Sequence, residues 1–98
     1  MKQLKVIFHE AAVFDLEDVW HYTVKTWSVE QADRYHKLLF SEIEFLSQKP
    51  NSGKSISHVR PGYYSSKVKS HLVFYTFSKS ELEIIRILNE SMDIPNRI

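Results

Sequence analysis

Residues 63–88, YYSSKVKSHLVFYTFSKSELEIIRIL, contain three runs that are rich in β-branched and aromatic residues, which favour strands. The runs are 63–68, 72–77 and 82–88, with connections of three and four residues. Connections this short join antiparallel neighbours, because a parallel pair needs a crossover of about a dozen residues or more. The stretch therefore predicts a three-stranded antiparallel meander.

The segment before this meander changes its apolar period near Glu10. Apolar residues alternate at Leu4, Val6 and Phe8, which predicts a short N-terminal strand. From Glu10 they recur every three or four residues, which predicts an amphipathic helix. The predicted inner face is Val13, Leu16, Val19, Trp20, Thr23 and Trp27, with Asp15, Asp18 and Lys25 outside.

A second helix is predicted from Ser28, which forms a capping-box pattern with Gln31. It must end before Pro50, because proline disfavours helical geometry at the residue before it. Residues 51–55 are rich in turn formers and are predicted to be a loop. The predicted inner face of this helix is Ala32, Tyr35, Leu39, Ile43 and Leu46. The two helices form a hairpin over one face of the sheet, so the fold class is α+β.

The aromatic residues of this hairpin divide into two predicted groups. Trp20, Tyr22, Trp27 and Tyr35 are expected to face the core. One sheet cannot cover every large apolar side chain, so Phe14, Val24, Leu38 and Phe40 are expected to stay partly exposed.

Length and composition narrow the class of protein. Ninety-eight residues, 43% of them apolar and 26% charged, predict one soluble domain spanning 1–98. Without cysteine, thiolate metal sites and thiol nucleophiles are excluded, and the five histidines lack metal-ligand spacing. We expect no metal and no cofactor. No apolar run reaches the ~20 residues of a membrane span, and a cytoplasmic location is expected.

Charge is distributed unevenly along the chain. Residues 45–80 hold six Lys or Arg and no Asp or Glu, although the whole chain carries a net charge of only +1. Residues 10–48 hold three Lys or Arg against eight acids, which argues against helices that dock in a DNA major groove. The basic region favours an acidic partner, and no sequence-specific binding of nucleic acid is expected.

Several segments, in this order, resemble ParE toxins of the RelE/ParE superfamily. They are 15–22, 27–35, 49–54, 60–63, 70–75 and 84–88, followed by Met92-Asp93. The resemblance implies the toxin of a type II toxin–antitoxin pair, neutralised by a ParD-like antitoxin. It also implies a non-catalytic mechanism in which the toxin stabilises the cleaved DNA complex of DNA gyrase and blocks replication.

The RelE branch of the superfamily implies an alternative, a ribosome-dependent mRNA endonuclease. The cations for such a reaction are available in Arg60, Lys67, Lys69 and Arg86. The resemblance to that branch also calls for a Tyr or His near the C-terminus as acid or base, and residues 89–98 contain neither. The non-enzymatic branch is therefore the preferred interpretation.

The residues predicted to contact the antitoxin or the target are Arg60, Lys67, Lys69, His71, Arg86, Met92 and Ile94. Arg86 lies in an apolar strand, and an internal pair with Glu83, Glu90 or a backbone carbonyl is an equally weighted interpretation. For residues 89–98, packing over the sheet edge and contact with the target both remain open. A structural His at the start of a strand is the alternative for His71.

Overall fold

The computed structural model describes residues 3–98. Its strands are β1 (Lys5–Phe8), β2 (Lys54–Ser55), β3 (Tyr64–Val68), β4 (His71–Phe77) and β5 (Glu81–Asn89). Its helices are α1 (Glu10–Thr26) and α2 (Val29–Gln48), and short 3₁₀ turns cover Pro50–Ser52 and Ile94–Asn96. The predicted α+β class, helical hairpin and meander are confirmed.

The sheet has five strands in the order β1-β5-β4-β3-β2. Strands β3, β4 and β5 pair antiparallel, as their short connections predict. Strand β1 pairs parallel with β5, so the first strand of the chain lies beside the last. The prediction that residues 51–55 form only a loop was wrong, because Lys54 and Ser55 pair with β3 as a fifth, two-residue edge strand.

The hairpin begins its second helix at Ser28, whose hydroxyl accepts the Gln31 N–H at 3.1 Å. This bond satisfies one of the backbone donors that a helix start leaves unpaired. Only Trp27 and Ser28 separate the helices, so α1 and α2 pack side by side. The predicted inner face of α2 is confirmed, with Ala32, Leu39 and Leu46 fully buried.

The predicted inner face of α1 was wrong at three positions. Asp15 is buried at 8% exposure, whereas Val13 is 42% and Trp27 is 74% exposed. The buried row is Ala12, Asp15, Leu16, Val19 and Thr23, which follows the same helical spacing but includes a carboxylate. Apolar spacing alone cannot identify a buried acid, because its burial depends on a cation that β5 supplies.

A β-bulge in β5 lets Ile84 and Ile87, three residues apart, face the same side of the sheet. Phe74 pairs with Arg86 and Tyr75 pairs with Ile84, so Ile85 is the extra residue. As a result, Ile84 and Ile87 pack toward the helices, and Ile85 packs on the opposite face. This second face is covered by the C-terminal tail, residues 89–98, since Ile94 and Ile98 pack there. The predicted position of the tail over the sheet edge is corrected to the sheet face.

Candidate functional site

A groove of about 850 Å³ opens between the helical hairpin and one end of the sheet. It lies where the end of α1, the first half of α2, the β3–β4 turn and the start of the tail meet. The main side chains that line it are Asp18, Tyr22, Trp27, Gln31, Arg34, Tyr35, Leu38, Lys69, His71 and Met92. We call this space the hairpin groove.

The apolar surface of the hairpin groove comes from side chains that no other element covers. Tyr22 is 67% exposed, and Leu38 and Met92 are nearly half exposed. The prediction that Tyr22 and Trp27 face the core was wrong. Tyr22 lies outside the buried row of α1, and Trp27 follows the helix end at Thr26 and is exposed. Phe14, Leu38 and Phe40 are exposed as predicted, while Val24 is half-buried.

A short polar network joins α2 to the β3–β4 turn inside the hairpin groove. The Tyr35 hydroxyl lies 2.6 Å from His71 Nδ1 and 3.2 Å from the Val68 carbonyl oxygen. The two rings meet edge to face with centroids 5.3 Å apart. Burial lowers the pKa of His71, although Asp15 and Glu90 oppose the shift. The neutral imidazole is therefore favoured at pH 7.

Charges at the hairpin groove come from Arg34, Lys69 and Asp18. Lys69 has a backbone φ of +56°, the left-handed region that non-glycine residues rarely adopt. This conformation lets the chain turn within Lys69-Ser70 between the paired residues Val68 and His71. The strained turn holds Lys69 at the edge of the groove.

A second groove of about 390 Å³ lies on the sheet face opposite the helices. Two of the predicted contact residues, Lys67 and Ile94, line it. Lys67 Nζ also pairs with Glu90 Oε1 at 3.0 Å, and both side chains are about half exposed. This surface is called the sheet groove, and it is lined by Lys54, Ile56, His58, Val59, Ser65, Lys67, Leu72, Phe74 and Ile94.

Arg86 lies inside the fold and forms a two-pronged ion pair with Asp15. Its Nε and Nη2 donate to the two carboxylate oxygens at 2.7 and 2.8 Å. Asp15 also accepts the Ile87 N–H at 2.9 Å, beyond the point where β1 ends. The third nitrogen, Nη1, donates to the Arg97 carbonyl at 3.1 Å. The hydrogen bond to Asp15 raises the pKa of Arg86 further.

The internal pairing predicted for Arg86 is therefore present, with Asp15 as its acid in place of Glu83 or Glu90 and the Arg97 carbonyl as its backbone partner. Glu83 instead pairs with His9 at 2.9 Å. The pair connects α1, β5 and the tail, three elements far apart in sequence. Whether Arg86 also contacts a partner stays a prediction.

The seven predicted contact residues do not form one cluster. Lys69, His71 and Met92 share the hairpin groove, and Lys67 and Ile94 share the sheet groove. Arg60 is exposed on a loop, with its guanidinium 5.6 Å from the Tyr63 ring centroid. The prediction missed Arg34 and assigned Tyr35 only to the core. The sequence does contain a signal for these residues. They belong to a row at three- and four-residue steps along one side of α2, formed by Gln31, Arg34, Tyr35 and Leu38.

The described residues 3–98 contain no group of three His, Asp or Glu side chains arranged to hold a metal ion. No helix among them is long and apolar enough to cross a membrane.

Comparison with known proteins finds a matching family and several similar chains. The family described as "ParE toxin of type II toxin-antitoxin system, parDE" matches residues 6–94. Toxin ParE1 of Caulobacter vibrioides is 39% identical over 79 residues, which cover 81% of each chain. Toxin ParE1 of Mycobacterium tuberculosis is 28% identical over 95 residues, covering 96% of this chain and 97% of the relative.

A solved structure described as "Chromosomal ParDE TA system from P. aeruginosa" has the same fold. The TM-score is 0.77 at 18% identity, with 89% of this chain and 96% of the other covered. This likeness concerns the fold alone, a helical hairpin packed on a five-stranded sheet. The chain belongs to the ParE toxin family, whose model matches residues 6–94.

Proposed function

We propose that this chain is the toxin of a type II toxin–antitoxin pair that acts in the cytoplasm on DNA gyrase. In this proposal the toxin stabilises the cleaved DNA complex of gyrase and so blocks replication. A ParD-like antitoxin neutralises it by binding. The observation that carries the proposal is the family match over residues 6–94.

The antitoxin part of the proposal is supported by the hairpin groove. Soluble proteins that act alone rarely expose several large apolar side chains side by side. Here Tyr22, Trp27, Leu38 and Met92 line one groove, with Arg34 and Lys69 among them. A folded partner segment with an apolar face would cover these side chains. The relative from P. aeruginosa is described as a ParDE system, which agrees with such a pair.

A non-catalytic mechanism is supported by the positions of the basic residues. Metal-free RNA cleavage needs an acid, a base and cations around one phosphate. Lys67 and Lys69 line different grooves, Arg86 is paired with Asp15, and Arg60 lies in neither groove. These cations therefore do not line a single groove. The mRNA endonuclease remains the alternative.

The test compares the two targets directly. Purified protein is added to gyrase with supercoiled plasmid, and separately to a translating extract with a defined mRNA. We expect protein-linked cleaved plasmid to accumulate and the mRNA to remain at the level of a heat-inactivated control. Specific mRNA cleavage by the native protein, lost in Lys67→Ala with Lys69→Ala, would instead establish the endonuclease. An active protein that leaves both targets unchanged would refute both mechanisms.

A further inference from the structure

The hairpin groove carries more positive than negative charge. The described residues 3–98 form ion pairs at His9–Glu83, Lys67–Glu90 and Arg86–Asp15. Neither Arg34 nor Lys69 takes part in these pairs, although both line the groove. Asp18 is the acid that lines it with them. A partner that brings a carboxylate would therefore meet two cations that are available for pairing.

The shape and the apolar surface indicate the rest of the partner's chemistry. Four of the ten exposed large apolar side chains of the described chain line this one groove: Tyr22, Trp27, Leu38 and Met92. An apolar groove with charged residues at its border fits an amphipathic segment better than a fully charged one. The complementary ligand is thus a segment with one apolar face and at least one acidic side chain.

His71 lines the same groove and has one nitrogen already engaged. Its Nδ1 lies against the Tyr35 hydroxyl, and no other hydrogen bond of its ring occurs among the described residues. The neutral form is favoured in the free protein by burial. The titratable or charged groups of the elements packed around it are Asp15 and Asp18 of α1, Arg34 and Tyr35 of α2, Lys67 of β3, Lys69 of the turn, Arg86 of β5, and Glu90.

We propose that His71 gains a proton when the bound antitoxin places a carboxylate in the hairpin groove. The inference rests on the proposed function and adds a pH dependence to antitoxin binding. A nearby carboxylate stabilises the imidazolium form and opposes the effect of burial. A group that is more protonated in the complex than in the free protein makes binding tighter as the pH falls.

The experiment measures affinity against pH. The probe is the full-length protein encoded by the reading frame adjacent to the gene for this chain, titrated at constant ionic strength. We expect the Kd to fall at least about threefold from pH 8 to pH 6, below the limit of about tenfold per pH unit for one proton. His71→Gln should abolish this change. His58→Gln, which alters an exposed histidine of the sheet groove, is the matched control and should retain it.

Two further measurements test whether the antitoxin binds in the hairpin groove and whether His71 takes up the proton. Arg34→Gln and Lys69→Asn should each weaken binding, and Asn is chosen because it tolerates the left-handed backbone at position 69. Nitrogen-15 NMR of the imidazole should show a higher pKa for His71 in the complex than in the free protein. Circular dichroism confirms that each variant is folded at each pH.

The outcomes separate this inference from the proposed function. Binding that keeps its pH dependence in His71→Gln would overturn the proton uptake. Binding that is unchanged by Trp27→Ala, Arg34→Gln and Lys69→Asn would place the antitoxin elsewhere and overturn the site, while the toxin–antitoxin pair would stand. An absence of binding at every pH would refute the proposed pair and this inference with it.

Discussion

At the scale of single residues, the Asp15–Arg86 ion pair is unusual because it is largely buried. The Asp15 side chain is 10% exposed and the Arg86 side chain is 22% exposed, so both charges are largely removed from water. Removing one partner of such a pair leaves the other charge uncompensated, which costs far more than the pair contributes net. Asp15 also accepts the Ile87 N–H, so its loss leaves a backbone donor unpaired.

Asp15→Ala is therefore expected to lower the free energy of unfolding by about 3 kcal/mol, which urea denaturation would measure. Asp18→Ala is the control, because Asp18 lies one turn later on the same helix and is exposed. The double variant Asp15→Ala with Arg86→Met should cost less than the sum of its single changes, since neither charge remains unpaired. Equal stability of the Asp15 and Asp18 variants would contradict the structural role of the pair.

At the scale of elements, a tyrosine fixes the segment that leads into β2. The Tyr75 hydroxyl donates to the Pro50 carbonyl at 2.8 Å and accepts the Gly53 N–H at 3.0 Å. Gly53 is required by this close approach, because a Cβ at position 53 would lie 2.1 Å from the Tyr75 oxygen. The edge strand β2 is only two residues long, so its position depends on this contact.

Tyr75→Phe should lower the free energy of unfolding by about 1–3 kcal/mol, because two backbone groups lose a partner. Tyr64→Phe is the control. The Tyr64 ring stacks on the Tyr75 ring with centroids 5.6 Å apart, and no hydrogen bond of the Tyr64 hydroxyl occurs among residues 3–98. Gly53→Ala should be more damaging in the native background than in Tyr75→Phe, which lacks the clashing oxygen. Equal costs of Gly53→Ala in the two backgrounds would show that the Tyr75 oxygen is not the obstacle, and would leave the Ser65 carbonyl oxygen, 2.9 Å from the same Cβ, in that role.

The same hydroxyl predicts a change at alkaline pH. Burial raises the pKa of Tyr75 to about 12, whereas the unfolded chain releases this proton near pH 10. The unfolded state therefore binds fewer protons in this window, and the stability of the native protein falls as the pH rises from about 10 to 12. This loss should be smaller in Tyr75→Phe.

At the scale of the whole molecule, the C-terminal tail closes the sheet face that the helices leave open. Ile94 and Ile98 cover a cluster of Ile56, Phe74, Ile85 and Leu88, all at most 9% exposed. The Arg97 carbonyl accepts a hydrogen bond from Arg86, which ties the tail to the same ion pair. The tail thus contributes to the core, which favours the packing interpretation over a role limited to target contact.

Truncation after Leu88 is expected to lower the melting temperature enough to reduce the folded fraction at growth temperature. The physical reason is that Phe74, Ile85 and Leu88 would lose their apolar cover. Met92→Ala is the comparison, because Met92 is 40% exposed and its loss should leave stability nearly unchanged. A truncated protein that stays folded and binds antitoxin but no longer inhibits growth would show instead that the tail is a target contact.

Local patterns in the sequence determined the two helices and every strand of the described chain except β2. The two apolar periods, the Ser28 cap and Pro50 place the helices, and the short connections require β3, β4 and β5 to pair antiparallel. These features depend on neighbours within a few residues, so the sequence reveals them directly. The lack of cysteine is likewise read directly from the sequence, and so is the basic region 45–80.

Only the tertiary structure decided which distant residues meet. The parallel pairing of β1 with β5 joins residues about 76 positions apart, and the Asp15–Arg86 contact spans 71 positions. Spacing carries no information on such contacts, because they depend on how whole elements pack. For the same reason the seven predicted contact residues divide between two grooves, and the Tyr35–His71 pair becomes visible only when α2 lies against the β3–β4 turn.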